Sequence, residues 1–418
     1  MKQFAIAFFC GLLATASAMA ALQPVDQLLQ QGEAAYKQGD IDSAIADFTK
    51  VIALDPKNTG AYLRRGLMKQ LKRDRDGAIV DYSRAIALNP KDSNGYSLRG
   101  LAKRFKGDLD GALSDLNQAI LLNPKIALAY DYRGLTRYAK GDPDGAMADF
   151  NKAIEIDSKT PDSYCARARI FRSRGDLDAA MADCNQAIDL NINYVPAFIE
   201  RGYVKTDKGD LDAAMADYNT AILLSPKEAS GYMASADLKR IRGDLDSALA
   251  DGNQAIAVEP NYGPAYKSRG NTHAMMRNWT AALADYRRCC DLSAGGQDYP
   301  HLYIYLIRAR TGDTEAATQD LSSYMKSRKT PPLGDWPARI AGFLLGSITE
   351  SDLFAAAGSP PTSSQGQTCE AWYFAGMKKL LAGDKENATT YFEKCVATEK
   401  KDYIEFQLAQ SELKALGK

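Results

Sequence analysis

Small, hydrophobic and acidic residues recur along this chain with a period of 34 residues, in eight consecutive copies over residues 25–296. The copies begin at residues 25, 59, 93, 127, 161, 195, 229 and 263, and we number places within each copy from its first residue. Place 4 is bulky, place 8 is glycine or alanine, place 20 is alanine and place 23 is aspartate. Such a period is typical of stacked helical hairpins, so the pattern predicts an all-α helix–turn–helix solenoid.

The turn inside each copy has its own markers. Glycine at place 15 is expected to end the first helix in six copies, because glycine adopts the left-handed C-cap conformation at little cost. Aspartate at place 18 is expected to be the N-cap of the second helix. Glycine at place 8 lies inside the first helix, where it costs about 1 kcal/mol relative to alanine. Its recurrence therefore predicts that another helix approaches closely there.

These columns closely resemble the tetratricopeptide repeat (TPR) over residues 25–296. In repeat four the shared pattern reads Tyr130, Gly134, Ala146, Phe150 and Ala153. The resemblance implies a right-handed superhelix with a concave groove. Two copies depart from the pattern, with alanine in place of the glycine of place 8 and a small residue in place of the aromatic residue of place 24: Ala168 with Cys184, and Ala236 with Gly252. Glycine at residue 252 is expected either to leave a hole or to admit a neighbouring side chain.

The repeat register weakens over residues 297–418, which we predict to be a degenerate TPR-like helical region. Its last repeat is expected at residues 369–402, followed by a polar-faced capping helix. Trp336-Pro337 and the segments 342–346 and 369–376 resemble exported bacterial TPR proteins of the new-lipoprotein-I type. That resemblance implies an envelope adaptor that holds proteases and peptidoglycan hydrolases, although the lipid-attachment cysteine of the family is missing.

The first 20 residues are typical of a secretory signal peptide. Lys2 is followed by an apolar run at residues 4–13 and by the small-residue cleavage site Ala18-Met19-Ala20. The alternative is an uncleaved membrane anchor over residues 4–22, which carry no charge. No second apolar run is long enough to span a bilayer. We therefore expect an exported, periplasmic or envelope-associated protein.

Charge and residue inventory argue against nucleic-acid binding and catalysis. Lys+Arg and Asp+Glu are equal at 52 each, whereas phosphate binding needs a concentrated basic surface. The only two histidines, His273 and His301, lie in different predicted helices. The chain also lacks a Cys-x-x-Cys motif and a Gly-rich phosphate loop followed by Lys. We predict no catalytic residue, no metal and no cofactor, and hence no enzyme.

Two functional hypotheses remain. The first is a protein-binding scaffold that holds partner proteins or extended peptides in the concave groove, formed by first-helix places 2, 5, 9, 12 and 13. The second is an enzyme or glycan-binding subunit that acts through the carboxyl-terminal region. The predicted groove residues are Leu67, Leu101, Arg104, Phe105, Leu135, Tyr138, Arg169, Arg172, Tyr203 and Met233. The expected anchors are Tyr138, Arg169, Arg172 and Tyr203, whose replacement by alanine should leave melting nearly unchanged. The partner and the oligomeric state stay open.

Facing places in an antiparallel hairpin sum to about 28, because the glycine of place 8 is expected to face the alanine of place 20. Arginine at place 7 should therefore contact aspartate at place 23, for example Arg133 with Asp149 and Arg201 with Asp217. We expect one such pair per repeat, an Arg–Asp ladder of exposed pairs that sets registry and is worth about 0–1 kcal/mol for each pair.

The same rule selects two cysteine pairs. Cys165 with Cys184, and Cys369 with Cys395, are predicted disulfides, since an exported protein can keep them. The alternative for each is a pair of reduced core cysteines. Cys289 and Cys290 are expected to be free thiols.

Overall fold

The computed structural model describes residues 24–292, 297–328, 335–358 and 365–418, so the predicted signal peptide lies outside the described residues. The described residues form helices joined by turns, without a β-strand among them. In chain order the helices are α1 24–37, α2 Ile41–Leu54, α3 Thr59–Leu71, α4 Arg75–Leu88, α5 Ser93–Lys106, α6 Leu109–Leu122, α7 Ala127–Ala139, α8 Pro143–Ile156, α9 Pro161–Ser173, α10 Leu177–Leu190, α11 Val195–Asp207, α12 Leu211–Leu224, α13 Ala229–Ile241, α14 Leu245–Val258, α15 Gly263–Met275, α16 Trp279–Leu292, α17 Asp298–Arg310, α18 Thr314–Ser327, α19 Trp336–Leu345, α20 Glu350–Ala357, α21 Gln365–Leu381, α22 Lys385–Val396 and α23 Ile404–Ala415.

The helices follow the 34-residue period. From α3 to α15 each first helix begins at place 1 of its copy, and from α2 to α16 each second helix begins at place 17. Each copy is thus a helical hairpin, and the predicted all-α helix–turn–helix fold is confirmed. No described helix is both long enough and apolar enough to cross a membrane.

The turn is tighter than the sequence pattern suggested. The place-15 glycines have φ between 79° and 86° in the six copies that carry them, as in Gly141. Arg73 and Arg277 occupy the same place in the two remaining copies with φ of 64° and 59°, a conformation that costs a non-glycine residue free energy. The chain passes from this residue straight into the second helix. The N-cap is therefore the aspartate of place 16, as in Asp142, whose carboxylate accepts a hydrogen bond from the amide of Gly145.

The predicted N-caps at place 18 were wrong, since those aspartates lie in the first turn of the second helix. They instead form exposed ion pairs with the cation at place 14 of the next repeat. The pairs are Lys72–Asp42, Lys106–Asp76, Lys140–Asp110, Lys208–Asp178 and Arg242–Asp212.

Place 8 requires glycine in six copies because the place-24 side chain lies directly on it. A Cβ added to each of these glycines would meet that side chain at 2.3–3.0 Å, closer than carbon atoms approach without strain. The pairs are Gly32 with Phe48, Gly66 with Tyr82, Gly100 with Leu116, Gly134 with Phe150, Gly202 with Tyr218, and Gly270 with Tyr286.

The two copies that carry alanine at place 8 are also the two with a small place-24 residue. Ala168 occurs with Cys184, and Ala236 occurs with Gly252. A Cβ on Gly252 would meet Cβ and Cγ of Arg269 at 3.1 and 3.2 Å, so a neighbouring side chain lies close to the space that an aromatic ring would otherwise occupy. A larger side chain at place 8 is thus accompanied by a smaller side chain at place 24 of the same hairpin, an exchange of volume between the two places.

The described residues divide into two compact units with the boundary after residue 166, and we call those up to residue 166 unit 1 and those from residue 167 onward unit 2. In unit 1 the hydrophobic cores are small, such as the one formed by Ala44, Phe48 and Met68. In unit 2 one large core extends from Ala274 to Ala409 and joins α15–α16 to the helices that follow. The α21–α22 hairpin repeats the TPR device, because a Cβ on Gly376 would meet Phe392 at 2.7 Å.

Candidate partner-binding surfaces

The arginines of place 7 contact the aspartates of place 23 through two parallel hydrogen bonds. In repeat four, Nε and Nη2 of Arg133 donate to Asp149 at 3.0 and 2.7 Å, and Nη1 of Arg137 adds a third bond at 2.8 Å. Nη1 of Arg133 also donates to Asn117 of the preceding repeat at 2.9 Å. The same two-bond arrangement occurs in Arg65–Asp81, Arg99–Asp115, Arg167–Asp183, Arg201–Asp217 and Arg269–Asp285.

The expectation that these pairs are exposed was wrong. Asp149 is only 3% exposed, and its arginines lie between it and solvent. A buried carboxylate that loses its partners keeps its desolvation cost, so each pair matters more than a surface ion pair. The Arg–Asp ladder therefore has a structural role that joins the two helices of a hairpin to the repeat before it.

We call places 2, 5, 9, 12 and 13 of the first helices the first-helix face. In unit 1 its predicted residues divide into two groups. Leu101 is buried, while Leu67, Leu135 and Tyr138 are half-buried, and Leu67 packs against the core of Ala44, Phe48 and Met68. Phe105 is instead 43% exposed.

More large apolar side chains are exposed on the same face of unit 1. Leu71, at the place equivalent to Phe105 in the preceding repeat, is 51% exposed, and Tyr36 and Leu128 at places 12 and 2 are also exposed. The guanidinium of Arg104 lies 4.6 Å from the centre of the Phe105 ring. The first-helix face of unit 1 thus presents apolar and aromatic groups beside a cation, in successive repeats.

A buried carboxylic acid lies at place 5 of this face in repeat four. Asp131 is buried and accepts a hydrogen bond of 2.9 Å from the hydroxyl of Ser163. Burial raises the pKa of Asp131 to about 6, the Ser163 hydrogen bond opposes the rise, Asp162 adds to it and Arg104 opposes it. The sequence pattern did not single out this acid, because one aspartate at place 5 does not differ from the many solvated ones.

In unit 2 the predicted anchors are largely engaged within the chain. Nε of Arg172 donates to the buried Glu200 at 2.7 Å, and its guanidinium lies 5.1 Å from the centre of the Tyr203 ring. Arg169 contacts the same Glu200 at 3.4 Å, and Tyr203 packs edge-on against Tyr218. Removing these side chains would expose a buried charge and open the core. These contacts argue against the expectation that their replacement leaves melting unchanged, and we now expect the replacement to lower the melting temperature.

Met233, the last of the predicted groove residues, is half-buried and packs against the core cluster of Ala229, Ala255 and Ala265.

The chain's own last helix covers the first-helix face of repeats seven and eight. Gln407 of α23 accepts from Nε of Arg240 at place 12 at 3.4 Å, and the Ser411 hydroxyl donates to the carbonyl of Met275 at place 13 at 3.1 Å. Glu412 binds Arg277 at 2.9 Å and Arg310 at 2.5 Å. The pattern indicated a terminal capping helix, but its polar side chains are buried in this face.

Two further carboxylic acids of unit 2 are buried in the large core. Glu370 accepts hydrogen bonds from the Tyr299 hydroxyl at 2.7 Å and from Nε1 of Trp336, and burial raises its pKa to about 8. Glu405 accepts a hydrogen bond from the Tyr303 hydroxyl, and burial raises its pKa as well. Both acids lie inside closed packing and act as hydrogen-bond acceptors there.

The predicted disulfides are not present. Cys369 and Cys395 are buried thiols whose Sγ atoms lie 3.4 Å apart, compared with about 2.05 Å in a disulfide. Cys165 and Cys184 are also buried and form no disulfide, and Cys289 and Cys290 are thiols as expected. Facing places in a hairpin bring side chains near one another, but they do not set the geometry that a covalent bond requires.

Neither histidine stands in a catalytic arrangement. Nε2 of His273 lies 4.0 Å from the ladder residue Asp285, and burial lowers the pKa of this histidine. His301 stacks on Tyr324 with ring centres 3.7 Å apart. Among the residues that the structure describes, no group of three His, Cys, Asp or Glu side chains could hold a metal ion.

Several known proteins and family models are similar to this chain. Tetratricopeptide repeat family models match residues 25–58, 97–161, 161–193 and 195–228. The Cut9–Hcn1 hetero-tetramer of the APC/C is 15% identical with a TM-score of 0.53, over 67% of this chain and 55% of that one. A tetratricopeptide repeat protein from Parabacteroides merdae is 20% identical with a TM-score of 0.48, over 59% of this chain and 98% of that one. A thermophilic TPR protein from Thermus thermophilus is 24% identical with a TM-score of 0.40, over 43% of this chain and 98% of that one. The described residues thus form an all-α helix–turn–helix solenoid that contains tetratricopeptide repeats over residues 25–58, 97–161, 161–193 and 195–228.

Proposed function

We propose that this protein is a non-catalytic scaffold that binds partner proteins through the first-helix face of unit 1. TPR repeats suggest a protein-interaction scaffold in general. The choice of this face rests on one observation, the exposure of Leu71 and Phe105 at equivalent places in successive repeats. Apolar side chains that stay exposed in a row on a folded surface are typical of a binding site.

The contrast with unit 2 supports this choice. There the chain's own helix α23 covers the first-helix face of repeats seven and eight, and Arg172 and Tyr203 are held by packing and ion pairs within the unit. The exposed side chains of unit 1 have the composition that binding hot spots favour, with aromatic groups next to arginine. A helix or an extended segment with apolar side chains would bury them.

We further propose that the protein acts in the bacterial cell envelope, with envelope proteases or peptidoglycan hydrolases as partners. The support is the signal-like sequence of residues 1–20 and the resemblance of the carboxyl region to exported TPR proteins. Mass spectrometry of the protein purified from the envelope fraction should find Ala21 as its first residue. An intact amino terminus would favour the membrane-anchor alternative, and recovery in the cytoplasm would exclude export.

The binding surface is tested by capture from envelope extract with the full chain and two matched variants. Leu71→Glu with Phe105→Glu places charges on the first-helix face. Leu54→Glu with Leu121→Glu places the same charges on exposed second-helix positions of the same unit. We expect the first variant to lose specific partners that the wild type and the second variant retain, because burying a carboxylate in an apolar interface is costly.

Equal retention by both variants would exclude this face as the binding surface. Hydrolysis of peptidoglycan or protein by the purified chain alone would instead support the second hypothesis, an enzyme acting through the carboxyl-terminal region. Both variants change only exposed side chains, so circular dichroism should show unchanged helicity for each.

A further inference from the structure

A polar cavity of about 140 Å³ lies in unit 2 between the first helices of repeats five to seven and the segment that leads into α23. Tyr203 and Tyr218 form part of its wall, and Asp402 and Gln407 close it from the carboxyl-terminal side. This volume equals that of about five water molecules, well below the volume of a typical small-molecule site. The cavity therefore has room for the end of one side chain.

The charges that line the cavity do not balance. Two guanidinium groups, from Arg172 and Arg240, stand against the carboxylates of Asp207, Asp237 and Asp402. Each arginine is already paired: Nη1 of Arg172 with Asp207 at 3.3 Å and Nη1 of Arg240 with Asp237 at 2.7 Å.

The remaining carboxylate is Asp402, which forms no ion pair with any other residue of the described ranges. Burial raises the pKa of Asp207, Arg172 opposes the rise, and Asp402 adds to it. The carboxylate of Asp402 thus lies close enough to Asp207 to disfavour the charge of Asp207. One negative charge is left in excess at this wall.

The aromatic side chains in the cavity wall also favour a cation. The Tyr203 and Tyr218 rings pack edge to face with centres 5.6 Å apart, and the guanidinium of Arg172 already lies over the Tyr203 ring. The Tyr203 hydroxyl accepts no hydrogen bond from the described residues, so its oxygen is a further acceptor beside the carboxylates. Aromatic faces and carboxylates together attract an organic cation. A metal ion fits less well, because these carboxylates do not form a three-ligand group in the described part of the chain.

We propose that this cavity receives the cationic end of one arginine or lysine side chain from a protein partner. The excess carboxylate of Asp402 supplies the charge, Tyr203 and Tyr218 supply aromatic atoms in the wall, and the cavity size limits the guest to one side chain. Because Asp402 and Gln407 belong to the carboxyl-terminal segment, the site is complete only while α23 is docked. The proposal rests on the proposed function only in taking the cation from a protein.

The site is tested with small probes on the full chain, with methyl NMR as the readout. Leu238 and Ile241 line the cavity, and their methyl signals report its occupation. The probes are Nα-acetyl-arginine amide, Nα-acetyl-lysine amide and the uncharged Nα-acetyl-citrulline amide. We expect saturable shifts of both methyl signals with the arginine probe, the lysine probe or both, and none with citrulline. The arm with the tighter binding identifies the guest.

Two exposed aspartates of unit 2 provide matched variants. Asp402→Asn should weaken probe binding by about three- to tenfold, because it removes the unpaired carboxylate. Asp246→Asn, in the first turn of α14, removes an equal charge elsewhere and should leave binding unchanged. Equal shifts with citrulline, no shift with either cation, or an unchanged affinity of the Asp402→Asn variant would overturn the proposal.

The outcome is independent of the capture experiment on unit 1. If the probes bind but Leu71 and Phe105 are not needed for partner capture, the cavity proposal is supported and the proposed partner surface is contradicted. Partner capture without probe binding would remove only the cavity as a site.

Discussion

Replacing Gly134 with alanine should destabilise the fold of repeat four, although alanine is the better helix former. A Cβ at this position would lie 2.7 Å from Cε1 and 3.0 Å from Cζ of Phe150, whose ring is fully buried. Overpacking of this kind costs about 1–3 kcal/mol, and the helix propensity of alanine returns about 1 kcal/mol. We therefore expect the free energy of unfolding to fall by about 0–2 kcal/mol.

The effect of the same substitution on the free energy of unfolding should change sign when the Phe150 ring is absent. Phe150→Cys removes most of a buried aromatic side chain and should cost about 2–4 kcal/mol. In that background the methyl group added at position 134 would have space, as Ala168 has beside Cys184 in repeat five. Gly134→Ala should then stabilise the protein by about 1 kcal/mol. The coupling energy between the two sites is about 1–3 kcal/mol.

The assay is a double-mutant cycle, measured by urea unfolding followed by far-ultraviolet circular dichroism and by hydrogen exchange of the α7 and α8 amides. Hydrogen exchange localises the effect to repeat four, since a repeat protein need not unfold as one unit. The control is Ala168→Gly in repeat five, which should cost about 1 kcal/mol because Cys184 leaves room for the methyl group. If Gly134→Ala had the same effect with and without the Phe150 ring, the exchange of volume between places 8 and 24 would be refuted.

Three further predictions concern stability. Asp149→Ala should lower the free energy of unfolding by about 3 kcal/mol, because two arginines lose a buried partner. Asp110→Ala removes an exposed pair and should lower it by only about 0–1 kcal/mol. Equal effects of the two substitutions in urea unfolding would contradict the structural role of the ladder. Arg73→Gly should raise the free energy of unfolding by about 1 kcal/mol, because φ is 64° at this residue. Gly107→Ala at the equivalent place should lower the free energy of unfolding. If both changes in free energy had the opposite sign, the left-handed turn would not be strained. Since the pKa of Asp131 is raised to about 6 from its ordinary value of 3.8, its contribution to stability is complete below pH values of about 4 and is lost as pH rises through about 6. Asp131→Asn should therefore gain up to about 3 kcal/mol at about pH 7 and nothing near about pH 4, and a gain that does not vary with pH would contradict this assignment.

The sequence predicts the hairpins well because the period, the place-15 glycine and the place-8 glycine each report one local requirement of the backbone. Gly134 needs a partner that lies on it, and Phe150 is that partner. The pairing of places 7 and 23 follows from the same antiparallel geometry. Such rules work because the interacting residues are separated by a fixed number of residues in every repeat.

What could not be predicted depends on burial and on contacts between distant segments. The N-cap falls at place 16 because the turn is tight, a detail that two nearby aspartates leave open. The burial of Asp149 depends on how two arginines cover it. The contact of Glu412 with Arg277 and Arg310 joins segments that are 135 and 102 positions apart, and no periodic pattern reports it.

The central claim, that partners bind the first-helix face of unit 1, is tested most directly by photo-crosslinking in living cells. A benzophenone amino acid is introduced at Phe105, or at Leu121, which is 74% exposed on a second helix of the same unit. We predict that illumination joins the Phe105 variant to a specific partner protein and leaves the Leu121 variant uncrosslinked. Crosslinks from Leu121 with none from Phe105 would contradict the claim and place the binding surface on the second helices.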